Sequence, residues 1–413
     1  VSLLPPALRH RNYRLYFAGQ GLSVLGSWIQ RVAMSWLVYR LTGSELMLGL
    51  SGFASQIPIL LLAPLGGVWA DRFDRRRLLI VTQTLAMGQA VLIAVLALTG
   101  WVTVWHVLAL ATLLGLVNAV DVPLRQSFVS NILEDRRDLP NAIALNSLLA
   151  NAGRLVGPSI AGVLIATAGE GVCFAANAVS YVFVLAAVLM MRIPPQAPIP
   201  PRPMLQGLAD GAAYVRDSAT VRSLLGIIAL VSFMVTPYTV LMPVFADRVP
   251  RGGAHTMGLM LSAAGIGAVC GTLILAYRQG TAGLGRMAGA AALVAGAALA
   301  MFAWSTSLWL SLPLMALTGC GVIITAAGAN TLLQTIVPDR LRGRIASFYT
   351  VAFLGFSPLG ALALGALGEA TDARLALSCG GVCCVIGAVV FLLRVGRLEA
   401  ALVEHGKARS ASA

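Results

Sequence analysis

Twelve apolar runs, each near the length of a membrane-crossing helix and joined mostly by short polar segments, leave this chain few ways to fold. A helix needs about 20 mainly apolar residues to cross a bilayer, and such runs fall at 14–40, 46–70, 78–98, 105–128, 141–166, 172–192, 222–246, 257–276, 286–305, 308–332, 345–367 and 374–394. Composition agrees: 58% of residues are hydrophobic and 11% charged, against roughly 25% charged in a soluble domain. The expected fold is all-α and integral to the membrane, with twelve transmembrane helices in two parallel-related six-helix bundles.

The joint at 193–221 is the long one. It begins with a proline-rich stretch, IPPQAPIPPRP, that reads as extended chain, and continues into LQGLADGAAYVRDSATVRSLL, which suits a helix at the membrane surface. It divides the chain into an N-terminal six-helix bundle (1–192), a cytoplasmic linker (193–221), a C-terminal six-helix bundle (222–394) and a cytoplasmic tail (395–413). The halves echo each other. Ile132-Leu133-Glu134-Asp135-Arg136-Arg137 precedes a span containing Gly157-Pro158, and Ile336-Val337-Pro338-Asp339-Arg340-Leu341 precedes one containing Ser357-Pro358.

The net charge of +13 does not point to nucleic acid, because no arginine cluster interleaves with aromatics on a polar surface. It follows membrane topology instead. With the N-terminus in the cytoplasm, 23 of the 29 basic residues fall in cytoplasmic segments, Arg31 and Arg154 lie inside spans, and only Arg40, Arg248, Arg251 and Arg374 fall on the outer side. This asymmetry places both termini in the cytoplasm. No removable signal peptide is expected in VSLLPPALRHRNYRLYF, which lacks a small-residue cleavage site after a short apolar core. The six cysteines all lie in apolar runs without a C-x-x-C motif, so they read as small packing residues rather than a disulfide framework or metal site.

No Walker A sequence, dinucleotide glycine motif, H-E-x-x-H or nucleophile elbow occurs, so no cofactor, no metal and no enzymatic activity are expected. The informative motifs lie in the first half. Between the second and third runs stands GGVWADRFDRRR, with Gly67, Asp71, Arg72, Arg75 and Arg76 at fixed spacing. The fifth run carries Gly153-x-x-x-Gly157-Pro158-x-x-Ala161-Gly162, where glycines four apart permit close helix approach and the proline frees a carbonyl. The fourth run holds Asp121 and, one turn on, Arg125. Asp121 is the one acid within a span, a placement costing about 2.5–3.5 kcal/mol that calls for a partner. Arg125 is within local reach.

These motifs resemble those of the major facilitator superfamily. The loop resembles its G-x-x-x-D-R-x-G-R-R/K signature, with Asp74 in place of a glycine. The fifth-run motif resembles that of drug:proton antiporters, with one glycine replaced by Ala161. Together with Asn118-Ala-Val-Asp121-Val-Pro123-Leu-Arg125-Gln126, they are similar to the branch holding siderophore (enterobactin-type) exporters and macrolide efflux proteins. The resemblance implies a cytoplasmic gate formed by Gly67, Asp71, Arg72, Arg75, Arg76, Asp121 and Arg125, with Arg75 favoured as the partner of Asp121. It also implies a central cavity lined by the first and fifth spans.

Polar residues recur on one face of the first span (Gln20, Ser23, Ser27, Gln30, Arg31) and of the fifth (Ser147, Asn151, Arg154). Such stripes face a bundle interior or watery cavity. The expected substrate cavity therefore comprises Gln20, Ser27, Gln30, Arg31, Gln56, Asn151, Arg154 and Tyr238. Arg31 and Arg154 have no acid at comparable depth in the sequence. The expected function is export of an amphipathic small molecule, drug or siderophore-like, by proton antiport and alternating access. The alternatives are a lysophospholipid transporter of the same fold and a non-transporting scaffold or receptor. The partners are the small molecule, protons and membrane lipid, without nucleic acid; a monomer in the inner (cytoplasmic) membrane is expected.

Overall fold

The computed structural model describes residues 5–191, 204–278 and 280–411, with side chains described except at 63–72, 130, 136, 204–210, 339–340 and 396–411. Among the described residues it is all helical. Eleven helical segments are long and apolar enough to cross a membrane. The first span is the twelfth: α2 (Arg11–Thr42) is a helix of 32 residues, and its polar stripe keeps its hydropathy below that of the other eleven. The proline-rich stretch at 193–203 lies outside the described residues.

The chain divides into two compact units, the first comprising 1–202 and 251–262 and the second 203–250 and 263–413. In the first, a short helix α1 (Pro6–Arg9) leads into α2, followed by α3 (Glu45–Arg72), α4 (Arg75–Leu98), α5 (Val104–Ile132), α6 (Leu139–Ala168) and α7 (Glu170–Met190). Small residues let these backbones approach, as packing in lipid requires. A Cβ on Gly19 would stand 3.0 Å from the Phe183 carbonyl oxygen of α7, and one on Gly115 of α5 would stand 2.6 Å from the Ser55 carbonyl oxygen of α3.

The loop between α3 and α4 resolves one departure from the superfamily signature. Asp74 is the N-cap of α4, accepting the Arg77 amide at 2.8 Å, so a carboxylate occupies a position that favours anions. Arg76 turns the other way. Its guanidinium donates to the Val188 and Leu189 carbonyls at 3.2 and 2.8 Å, closing the C-terminus of α7, where the helix dipole favours a cation.

The second unit contains α8 (Met204–Asp217), α9 (Ala219–Met234), α10 (Tyr238–Arg248), most of α11 (Ala254–Ala276), α12 (Leu284–Trp304), α13 (Leu308–Ile336), α14 (Asp339–Thr350), α15 (Phe356–Ala370) and α16 (Ala373–Ala411). Two spans expected to be continuous are broken. The run 222–246 divides into α9 and α10 at Pro237, which has no amide proton to continue the ladder. The run 345–367 contains a π-helical turn, Val351–Gly355, between α14 and α15. Pro358 follows and cannot bond back, and the Ser232 hydroxyl of α9 donates to the Phe353 carbonyl. The breaks meet, because the Thr236 hydroxyl also donates to Ser357 Oγ at 3.0 Å. Cys173 and Cys384 are buried, and Cys384 donates to the Ala292 carbonyl; Cys379 and Cys383 have sulfurs 4.0 Å apart.

A repeat is visible in the ion pairs. Arg40 closes the first span and binds Glu170, which opens the sixth, through Nε–Oε1 at 2.7 Å and Nη2–Oε2 at 3.2 Å. Arg248 closes the seventh and binds Asp372, which precedes the twelfth, at 2.8 Å. Two of the four arginines on the sparsely basic side thus have an acid in their own unit. The Glu170 side chain is 9% exposed and that of Asp372 is 42% exposed, so the pairs differ in strength. Glu170→Gln is expected to cost about 1.5–3 kcal/mol, as for a charged hydrogen bond, and Asp372→Asn about 1 kcal/mol or less, as for a surface pair. Thermal unfolding of the purified variants checks this order. The Asp372 carboxyl is held below its usual range by the Arg374 amide and the Arg248 guanidinium. A depressed acid stabilises above its unfolded pKa, so this contribution fades only as pH falls through and below the ordinary carboxylate range.

Candidate functional site

Two polar systems of the first unit hold the charged residues within its spans. The first is built on Asp121, which is 1% exposed. One carboxylate oxygen meets Arg125 Nη2 at 2.5 Å. The other accepts the Thr82 hydroxyl at 2.8 Å and the Gln83 amide at 2.7 Å. The resemblance favoured Arg75, but the guanidinium on Asp121 is that of Arg125, placed by the i,i+4 geometry of one helix. Thr82 and Gln83 were not anticipated. Their signal was available, since two adjacent polar residues one turn inside the third span need partners on a neighbouring helix. Arg75 opens α4 and is half-buried. Gly67, Asp71 and Arg72 fall in the last turns of α3, outside the described side chains.

The second system centres on Trp28 of α2. The Arg31 guanidinium lies over its ring at 4.4 Å and that of Arg154, from α6, at 5.7 Å. The fifth-span motif is what seats this indole. A Cβ on Gly153 would come 2.8 Å from Trp28 Cδ1, and one on Gly157 would come 2.5 Å from Trp28 Cβ. Further along, Gly162 lies against the Ala254 backbone, and the Ser159 hydroxyl donates to Ser262 Oγ at 2.7 Å. The motif is therefore a packing surface with two clients, Trp28 and the start of α11. Pro158 takes part through its carbonyl oxygen, which closely abuts Gly258.

Depth follows from the helices. Arg31 is 11 residues from the end of α2 and Arg154 is 14 from the end of α6, or about 16 and 21 Å at 1.5 Å per residue. Both lie near mid-membrane in a core about 30 Å thick. Arg31 is exposed and Arg154 half-buried. Among the described residues neither meets a carboxylate. A cation–π contact supplies about 0.5–2 kcal/mol, against about 2.5–3.5 kcal/mol to place each charge at mid-membrane. The indole offsets part of the cost and cancels none of the charge.

The polar stripe of α2 divides. Gln30 is 1% exposed; it donates to Gln89 at 2.9 Å and accepts from Asn177 at 2.7 Å. Gln20 is also buried, at 6%. Both were expected to line a cavity; Gln30 is instead enclosed between α4 and α7. A stripe this wide cannot face one way: Gly19, Gly26 and Gln30 meet α7, whereas Val24 and Trp28 meet α6. Ser27, Gln56 and Asn151 are half-buried in this unit. Tyr238 is half-buried and opens α10 in the second unit.

Two stability differences follow. Arg125→Ala strands a buried carboxylate and is expected to cost about 3–5 kcal/mol. Asp121→Asn should cost less, because its amide oxygen still accepts from Thr82 and Gln83 and Arg125 is partly exposed. Gly157→Ala must displace Trp28 backbone-side and is expected to cost about 1–3 kcal/mol, the range for overpacking. Melting temperatures in detergent measure both; equal melting of R125A and D121N would refute the first.

Residues 2–408 match the family described as transmembrane secretion effector. The multidrug efflux pump Tap of Mycolicibacterium fortuitum is 28% identical over 93% of this chain and 94% of its own. The enterobactin exporter EntS of Shigella flexneri is 25% identical over 93% and 92%. The staphyloferrin A transporter of Staphylococcus aureus (strain NCTC 8325 / PS 47) is 29% identical over 63% of this chain, which spans 66% of that protein. Among solved structures, a variant of the nucleoside transporter NupG superposes with a TM-score of 0.73 at 15% identity, covering 94% of this chain and 99% of that one. The POT family transporter PepTSo gives 0.75 at 14%, over 94% and 98%. At these identities the structures establish the fold. The relatives are transporters, two of them for efflux, and none is an enzyme. The chain belongs to the transmembrane secretion effector family, a family of multi-pass transporters within the major facilitator superfamily.

Proposed function

We propose that this transporter exports an amphipathic small molecule from the cytoplasm across the inner membrane, by proton antiport and alternating access. The observation that carries this reading is the polar site at mid-membrane. Arg31 and Arg154 converge on Trp28 at the depth where secondary transporters bind substrate, and the fifth-span glycines hold that indole in place. The efflux relatives support the outward direction. The distribution of arginines supports cytoplasmic termini, and the six-plus-six division at 193–221 supports two halves moving as bodies within a monomer surrounded by lipid. Asp71, with Gly67, Arg72, Arg75, Arg76, Asp121 and Arg125, forms the cytoplasmic gate in this reading; a lock there stabilises one state of the cycle.

The test uses everted vesicles from cells with and without the protein. A pH gradient is imposed, and uptake of ethidium, chloramphenicol and fluorescein is followed. Uptake of at least one that depends on the protein, and that falls when nigericin removes the pH gradient, is the expected result. Asp71→Asn should reach the membrane in normal amount and melt as the wild type does, with uptake reduced about tenfold, the effect of losing about 1.4 kcal/mol from a gating contact. Protein-dependent uptake that ignores the gradient would remove proton antiport. Normal flux in the Asp71 variant would remove the gate.

A further inference from the structure

We infer that Trp28, Arg31 and Arg154 form an oxyanion-binding site, so that this transporter's preferred substrate carries a carboxylate, phosphate or similarly delocalised oxyanion beside an aromatic or apolar body. The inference rests on the export reading for its physiological meaning, but the site can be tested by binding alone.

Three observations converge. First, two guanidiniums from different helices share one indole, at 4.4 and 5.7 Å. Like charges brought together at mid-membrane repel, and nothing in the packing forces them there: Arg31 is exposed and Arg154 half-buried. Secondly, among the described residues the arginines have no carboxylate partner. Asp121, the buried acid of α5, is already met by Arg125, Thr82 and Gln83, and Glu170 is held by Arg40. These acids are accounted for and the two arginines remain uncompensated. Thirdly, the indole is fixed. Gly153 and Gly157 leave no room for a Cβ beside it, so Trp28 is a fixed floor beneath both guanidiniums.

The chemistry follows. A guanidinium lying on an aromatic face keeps its N–H edges free, because the cation–π contact uses the plane of the group and not its donors. Each edge presents two parallel donors matched to an oxyanion. An exposed arginine at this depth faces water, since acyl chains would penalise it. A bound oxyanion would therefore restore neutrality where the protein supplies none, and the ring would contact the apolar body beside it. Cations gain nothing from such a site and are repelled by it.

The test measures binding and transport on the full chain, using fluorescein as a dianionic aromatic probe, ethidium as a cationic one and chloramphenicol as a neutral one. Binding to detergent-purified protein is followed by fluorescence polarisation for the two dyes and by equilibrium dialysis for chloramphenicol. Fluorescein should bind the wild type, and Arg31→Gln and Arg154→Gln should each weaken it about tenfold, the loss of one charge-assisted contact, with ethidium and chloramphenicol unchanged within about twofold. Arg31→Lys and Arg154→Lys should retain part of the fluorescein affinity, because charge survives without the fork. Melting temperatures separate a structural role: losses equal across all probes, with lower melting and no rescue by lysine, would overturn the site. Unchanged fluorescein affinity in both glutamine variants would overturn it too, as would a wild type that binds only ethidium or chloramphenicol. In everted vesicles, protein-dependent uptake of ethidium but not fluorescein would sink the oxyanion site and leave export standing. Arginine-dependent fluorescein binding without flux of any probe would uphold the site and count against export.

Discussion

In hydrocarbon a polar side chain has no water to fall back on, and this exchange rule organises the first unit. Two of its buried polar networks tie helices together. Asp121 of α5 reaches Thr82 and Gln83 of α4, and Gln30 of α2 reaches Gln89 of α4 and Asn177 of α7. Apolar packing cannot select one helix arrangement over another when lipid tails are as apolar as the side chains. Directional hydrogen bonds can. They set the neighbours of α4, and glycine contacts then set how closely those neighbours lie.

The two units solve their packing in related ways. In the first, the fifth-span glycines accept Trp28 of the first span; in the second, Gly360 accepts the Phe233 backbone of the seventh. A proline stands beside the contact each time, Pro158 in α6 and Pro358 in α15. The outcomes diverge because α6 stays continuous through Pro158, whereas Pro358 is preceded by a π turn and faces a span itself broken at Pro237. The ion pairs Arg40–Glu170 and Arg248–Asp372 join first to sixth and seventh to twelfth spans. This is a firmer trace of duplication than the loop echo, because it matches partners as well as positions.

What was legible in the sequence is what hydropathy and spacing encode. Span positions and the glycine–proline motif could be read directly, because each depends on residues close in the chain. The direction of polar side chains was not legible. Gln30 and Arg31 are adjacent and both polar, yet one is sealed among α4 and α7 and the other lies on Trp28, because consecutive helical residues diverge by about 100°. The breaks at Pro237 and at the π turn were hidden for a similar reason. A proline within an apolar run announces a missing donor, but whether the helix bends, tightens or stops depends on which neighbour satisfies the freed carbonyl. For Phe353 that neighbour is Ser232, far away in sequence. Trp28 was missed altogether: a tryptophan in a span reads as bulk until the glycines opposite it are in place.

Asp121 and the Arg31–Arg154 pair both place charge within spans, and the protein treats them in opposite ways. The carboxylate receives a guanidinium and two neutral donors, and is shut away at 1% exposure. The arginines receive one shared ring, whose quadrupole attracts cations without neutralising them, and Arg31 stays exposed. Had both been structural ties, the second would be expected to resemble the first, with an acid or a ring of carbonyls drawn in, since a half-compensated charge costs more than either a complete pair or an apolar replacement. A fold that can build the Asp121 arrangement between α4 and α5 is not limited in its means. The missing compensation around Trp28 therefore reads as a property of the site itself, one that an anionic ligand completes and that an empty transporter tolerates only because the guanidinium edges remain in reach of water.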